Sequence, residues 1–311
     1  MTSATGQWKV GDLRLSSGRR RADQRMRALF TTAALTTLLI TLLIIFILFR
    51  DAWGFFVDVP KGDLWNIGWF PRRGIFDVKT LIVGSFMVTG IAMLIAVPLG
   101  LGVAIYLSEF AEPGVRKVLK PIIEVLAGIP SVVLGYFAIS FINPSIVTNL
   151  IGGANKAFNI ASAGVAVGIL TIPIIASVTE DALRAVPLAL REASYGLGAR
   201  RVPTVFRVVL PASISGVVAA LILGVSRAIG ETMVVAIAAG AVGGGLFSTD
   251  PFQPGQTMTA AMAALGFGSD QVAGDGLAFQ SLFFIGFLLF VITLLLNMAG
   301  DRLVRRVREE Y

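Results

Sequence analysis

Cysteine and histidine are both absent from the 311 residues, and charged residues make up only 14%. Without cysteine there is no disulfide framework, no thiolate nucleophile and no thiolate metal site, and without histidine there is no imidazole base. Most enzyme mechanisms have nothing to run on. The pattern GxxxxGK[ST] is missing too, so the chain does not cradle a nucleotide phosphate in the P-loop manner. Any energy drawn from ATP has to arrive through another subunit, and no cofactor or metal is expected.

Apolar residues are abundant, at 55% of the chain with a mean hydropathy of +0.81. The length would suit two soluble domains, but this composition marks an integral membrane protein whose solvent is lipid. Its backbone polar groups must then be satisfied within each segment, which favours an all-α, polytopic architecture. The net charge of +7 could suggest nucleic acid. The basic residues cluster at the ends of apolar segments, however, as membrane topology alone produces, so no nucleic-acid partner is expected.

Residues 1–28 form a polar arm with seven Lys/Arg against two Asp, and its Arg19, Arg20 and Arg21 suffice to hold that end in the cytoplasm. Residues 29–49 carry no charge and are long enough, at ~1.5 Å per residue, to cross a ~30 Å hydrocarbon core as a retained first helix. The loop 50–79 holds Trp53, Trp65 and Trp69 between the breakers Pro60 and Pro71. Those indoles mark an interfacial belt in preference to a contact for a partner protein.

A core of 80–299 follows, then a tail of 300–311. Within the core the run Thr80 to Leu107 is expected to kink at Pro98, and a third span is placed from about Pro121 to Ile142. Glu124 pairs with Lys120 one turn away in this reading, and the break Gly128-Ile129-Pro130-Ser131 puts the span at the bundle centre. A Gly/Asn loop occupies 143–159. A fourth span runs from about Ile160 to Val178 with Pro173 inside it. The fifth, from Pro211 to Gly245, is too long for one crossing and either protrudes or breaks near Gly240. Met258, Ala261, Met262 and Leu265 fit one face of a surface or re-entrant helix, and the last span covers Phe279 to Ala299.

Charge counting sets the topology. With both termini, loop 108–120 and the loop 180–208 on one side, that side holds 19 Lys/Arg against 6 on the other, and Arg227 completes the 26. The bias places six helices with both ends in the cytoplasm.

Loop 180–208 is the most structured polar stretch. Pro187 suits a first helical turn, Leu188, Arg191, Glu192 and Tyr195 follow on successive turns, and Gly196 and Gly198 end the helix. Arg200 and Arg201 precede a second short helix expected to start at Pro203. On composition alone the result is either a plain surface loop or a docking knob for a partner.

Farther on, Arg227 lies sixteen residues beyond Pro211 and Glu231 four beyond Arg227. An Arg at bilayer depth costs at least ~2.5–3.5 kcal/mol and needs a partner or a use. The plainest account is a self-neutralising pair that glues helices. The alternative is an anion site, since a guanidinium fork matches a phosphate oxyanion. Gly224, Gly230 and Ser226 would keep the helix thin enough for a polar path beside it. Glu231 would hold Arg227, weaken binding enough for release, and accept a hydrogen bond from the protonated oxygen that phosphate has and sulfate lacks.

The run Glu192-Ala193-Ser194, three residues, Gly198, nine residues, Val208-Val209-Leu210-Pro211 is similar to the E-A-A…G…I-x-L-P signature of bacterial ABC-importer permeases. It departs only at Ser194 and Val208. With Leu126-Ala-Gly-Ile-Pro-Ser131 and Arg227-Ala-Ile-Gly-Glu231-Thr232, residues 25–311 resemble the PstC-type permeases of phosphate importers. That resemblance implies a type I permease fold of about six transmembrane helices in a bacterial inner membrane. It makes loop 180–208 the coupling element, with Glu192, Ala193, Ser194, Gly198, Arg200 and Arg201 at the ATPase contact. Arg227, Glu231, Thr232, Ser226 and Ser131 become the substrate pathway. The implied partners are a PstB-type ATPase dimer, a PstA-type second permease chain and a PstS-type extracytoplasmic phosphate-binding protein. Sulfate or molybdate as cargo, a channel, and a sensory membrane scaffold stay open as alternatives.

Overall fold

The computed structural model describes residues 17–153, 156–240, 245–266 and 276–307, with side chains from residue 23 to 306 of these ranges. Most of the N-terminal arm and the last residues of the tail therefore lie outside the described residues. The chain divides into two units, 1–50 and 51–311.

The first unit is helical from Ser17, where α1 (Ser17–Asp58) begins, so regular structure starts well inside the expected polar arm. Its apolar side chains point outward, as a helix bathed in lipid requires. The hydroxyls of Thr36, Thr37 and Thr41 donate to the carbonyls four residues back at 2.8–3.0 Å, which hides their polarity from lipid.

In the second unit a small antiparallel sheet precedes the long helices. β1 (Trp65–Phe70) pairs with β2 (Ile75–Asp77) through Trp65 opposite Asp77 and Phe70 opposite Ile75. Trp69 departs from the belt expectation: it is fully buried, 5.5 Å from Phe76, in a cluster with Phe55, Leu81, Met258 and Ile285. Trp53 and Trp65 stay exposed. α2 (Val78–Ile105) runs unbroken through Pro98 and ends in a wide π-helical turn, Tyr106–Phe110.

The third span is not the one expected. α3 (Pro113–Leu126) is a separate amphipathic helix with no buried residue, and the chain breaks before α4 (Ser131–Phe137), which continues as π-helical turns to Thr148. Hydropathy merges the two because Val118, Ile122 and Val125 are apolar, although they sit on one face opposite Arg116 and Lys120. Lys120 binds Glu180 at 3.0 Å and Asp181 at 3.2 Å, and not Glu124.

α5 (Ile160–Ala185) is the central helix, packed along α2 and buried over most of its length, and it too continues through Pro173. Its start is fixed by Asn159, whose side-chain oxygen accepts from Ser162 N at 2.7 Å. The side-chain amide of Asn159 in turn donates to Asn143 at 2.7 Å.

α6 (Leu188–Gly196) and α7 (Arg201–Thr204) form the polar loop. Its second helix starts at Arg201, two residues before the Pro203 expected, and a π-helical turn Val205–Val209 leads into α8 (Leu210–Ala212). The fifth span then departs from a continuous helix. Arg201–Ala212 meets α9 (Ile214–Ile229) at 72°, and α9 stops at the break 230–232 before α10 (Met233–Ala238). Gly240 turns the chain with a φ of +79°. β3 (Gly245–Leu246) joins the sheet beside β1, in the order β2-β1-β3.

Of the two alternatives for α11 (Met258–Gly266), a surface or a re-entrant helix, its burial argues against the surface one. Met258, Thr259, Ala260, Ala261 and Leu265 are all buried. α12 (Leu277–Val307) closes the unit against α9 and α11. Five helices among the described residues are long and apolar enough to cross a membrane, or six if the bent pair is one span.

Candidate functional site

The pair predicted from spacing is present, in a different setting. Arg227 occupies the last turn of α9, about 20 Å along that helix from Ile214. Glu231 lies in the break beyond Ile229. The carboxylate folds back, so that Arg227 Nη1 donates to Glu231 Oε2 at 2.6 Å. Its other oxygen accepts a long bond, 3.4 Å, from Val234 N at the start of α10. Burial splits the pair unevenly: the Arg227 side chain is 41% exposed and that of Glu231 3%. Glu231 is therefore the buried anchor, and Arg227 presents its remaining N–H groups without a protein partner among the described residues.

The break is itself held from outside. Thr259 Oγ1, on α11, donates to the Glu231 carbonyl at 2.7 Å and shares a 3.1 Å hydroxyl contact with Thr257. Thr232 precedes α10 and turns its hydroxyl away from that helix, donating to Gly230 O at 3.2 Å. Sequence reasoning missed Thr257 and Thr259, because nothing local marks a threonine that will meet a carbonyl 28 residues away.

Ser226 donates to Asn297 Oδ1 on α12 at 2.7 Å, so its hydroxyl proton ties two helices together. Gly224 does not open a polar path. A Cβ there would sit 2.9 Å from Ile175, so this glycine permits close packing of α9 on α5. Ser131 opens α4, whose Gly135 lies under Ile237 of α10. Both chain breaks thus begin helices that pack on each other.

The loop forms a second constellation. Glu192, Ala193, Gly198, Arg200 and Arg201 are exposed, together with the apolar Leu188, Tyr195, Leu197, Val202 and Phe206. Gly198 has a φ of +82°, the left-handed conformation that lets α6 end and the chain reverse. Ser194 Oγ lies 2.8 Å from Thr204 Oγ1 and closes α6 against α7. Arg191 anchors the base: it donates to Glu109 Oε1 at 2.9 Å and to the carbonyls of Leu183 at 2.8 Å and Val186 at 2.5 Å. Arg201 rests over the Phe110 ring, 5.2 Å from its centroid.

Beside the loop, Glu180 is fully buried near the end of α5 and meets Arg116 at 2.5 Å, Lys120 at 3.0 Å and Arg184 at 3.9 Å. The Glu180 carboxylate 3.0 Å away, against a smaller opposing effect of burial, holds the Lys120 ammonium above its ordinary range. No group of three His, Cys, Asp or Glu side chains is placed to hold a metal among the described residues.

Comparison with known proteins sets these features in a family. Residues 96–309 match the family described as binding-protein-dependent transport system inner membrane component. The phosphate transport system permease protein PstC of Pasteurella multocida is 30% identical over 83% of this chain and 84% of its own. PstC 1 of Mycobacterium tuberculosis is 36% identical over 76% and 75%. Among solved structures, a chain of a bacterial alginate ABC transporter complex superposes with a TM-score of 0.63 at 17% identity, covering 93% of this chain and 98% of that one. The fold is that of type I importer permeases. Such a chain is a multi-pass inner-membrane subunit, not an enzyme, and it works with a separate ATPase and a substrate-binding protein. By its sequence and its fold alike, this chain belongs to the binding-protein-dependent transport system inner membrane components.

Proposed function

We propose that this chain is the membrane permease subunit of an ATP-driven importer of inorganic phosphate. It forms part of the translocation path and couples to a separate ATPase. The observation that carries the cargo assignment is the half-exposed Arg227 guanidinium held by a buried carboxylate, in a chain whose relatives are phosphate permeases. A planar fork with free donors suits a tetrahedral oxyanion. Glu231 acts mainly by orienting Arg227, because its own oxygens are buried and engaged. Its presence also keeps the local charge near neutral, so that the anion is held weakly enough to move on.

The coupling face consists of Glu192, Ala193, Ser194, Gly198, Arg200 and Arg201, presented on a knob that exposes both charge and apolar surface. The 19 to 6 distribution of basic residues supports placing that knob and both termini in the cytoplasm, where ATP is. On this reading the partners are a PstB-type ATPase dimer, a PstA-type second permease chain and a PstS-type phosphate-binding protein outside.

The test is purification of the tagged chain from its membrane, followed by transport in proteoliposomes. Copurification of an ATPase and ATP-dependent uptake of labelled phosphate, undiminished by excess sulfate or molybdate, is the expected result. Sulfate or molybdate displacing phosphate would reassign the cargo. Ion flux without ATP would make the chain a channel.

A further inference from the structure

We infer that Arg191 and Glu109 form a rigid strut that fixes the coupling knob to the inner ends of α2 and α5, so that movement at the knob is carried into the helices around Arg227. The inference rests on the reading of loop 180–208 as the ATPase contact.

Arg191 is on α6 but faces away from the knob's exposed surface, with its side chain 13% exposed and that of Glu109 6%. Its guanidinium reaches three acceptors on two other elements: the Glu109 carboxylate in the π-helical turn that ends α2, and the Leu183 and Val186 carbonyls at the end of α5. Glu109 Oε1 also accepts from Ser108 Oγ at 3.0 Å, which fixes the carboxylate's side of the pair. A fork bonded at three points resists rotation in a way a single ammonium contact does not.

A second link joins the same regions. Phe110, next to Glu109, carries Arg201 over its ring, so the end of α2 is tied to α6 through Arg191 and to α7 through Arg201. The Ser194–Thr204 contact closes the two helices on each other, and the knob becomes one body clamped at its base. From there α2 packs along α5 and also against α9, the helix of Arg227. Ile175 of α5 lies against both Gly100 of α2 and Gly224 of α9, so a packed path leads from the knob to α9 one turn before Arg227. Neither Arg191 nor Glu109 touches the cargo in this account; both are positioning residues.

The experiment uses the complete transporter in proteoliposomes and reads phosphate taken up per ATP hydrolysed, with the amount of copurified ATPase as a separate readout. Glu109→Gln and Arg191→Gln are expected to retain ATPase and to lower uptake per ATP by roughly tenfold, with Glu109→Asp between them and the unsubstituted chain. A normal ratio in either neutral variant overturns the strut while leaving the docking reading intact. Variants that lose the ATPase altogether also overturn it, since the pair would then only shape the docking surface. Should the unsubstituted chain carry no ATPase, the docking reading itself fails. If a neutral variant does not insert, Glu109→Asp decides alone, because it keeps the charge and draws it back by one methylene; an unchanged ratio there counts against the strut.

Discussion

Arg227 and Glu231 meet at 2.6 Å although the helix that carries Arg227 ends between them, at Ile229. The pair therefore closes over a chain break and does not run along a helical face. That difference matters for what it can do. A helical i,i+4 pair on a water-exposed surface is a modest electrostatic contact. Here the carboxylate is buried in the turn, 3% exposed, while the guanidinium stays half-open.

The break depends on Thr259. Thr259→Val removes the hydroxyl that serves the Glu231 carbonyl and leaves a buried acceptor unpaired, at about 1–3 kcal/mol. Phosphate uptake by this variant is expected to fall several-fold, while Thr257→Val, which keeps the Thr259 bond, falls less. Initial rates in proteoliposomes check the order; equal rates for the two would detach Thr259 from the site.

Gly198 tests the docking loop. At a φ of +82° a β-branched residue is strained, by ~1 kcal/mol or more, and no neighbouring atom lies within 4 Å of an added Cβ, so the strain is of the backbone alone. Gly198→Val is expected to insert normally and to lose transport as the knob tilts. Normal ATPase binding together with normal uptake would reduce the loop to a connector.

Topology is open to a direct probe because the chain has no cysteine. A cysteine at Thr249, in the loop that follows β3, is expected to react with an impermeant thiol reagent in intact cells. One at Ser194 is expected to stay protected until the cells are opened. Labelling of Ser194→Cys from outside would invert the orientation.

The Glu180 cluster is a stability device. Glu180→Gln leaves Arg116, Lys120 and Arg184 around a buried amide; because the three cations are partly exposed and screened by solvent, the change is expected to cost about 1–3 kcal/mol and to lower the unfolding temperature in detergent by several degrees. Asp181→Asn, at a largely exposed side chain, is expected to change it by less than about 0.5 kcal/mol. The raised Lys120 pKa gives the sign of the pH dependence: its contribution is fully present below the unfolded lysine value and fades only as pH rises through the still higher folded one. Neutral pH therefore leaves the cluster intact.

How much of this was legible depended on range. Long apolar segments are a local property, so α2, α5 and α12 were readable from hydropathy, and the pairing of Arg227 with Glu231 from their spacing. The split between α3 and α4 was masked because an amphipathic helix with Val118, Ile122 and Val125 scores like the start of a span. Trp69 looked like a belt residue until β1 folded it onto Phe76. The bend at Ser213 left no mark beyond Pro211. Glu180, Glu109 and Thr259 owe their roles to partners distant in sequence, which no window along the chain brings together.

If Arg227 contacts passing phosphate and Glu231 holds the guanidinium in place, the pair is decided by uptake in three variants assembled with their partners: Arg227→Gln, Glu231→Gln and the two combined. Each single variant is expected to carry its ATPase yet lose at least about tenfold in labelled-phosphate uptake, since each removes one charged hydrogen bond worth roughly 1.5–3 kcal/mol. The double variant is expected to remain as inactive as the worse single one. Recovery of uptake in the double variant would show that the pair serves only its own neutrality, and would contradict the assignment of the site.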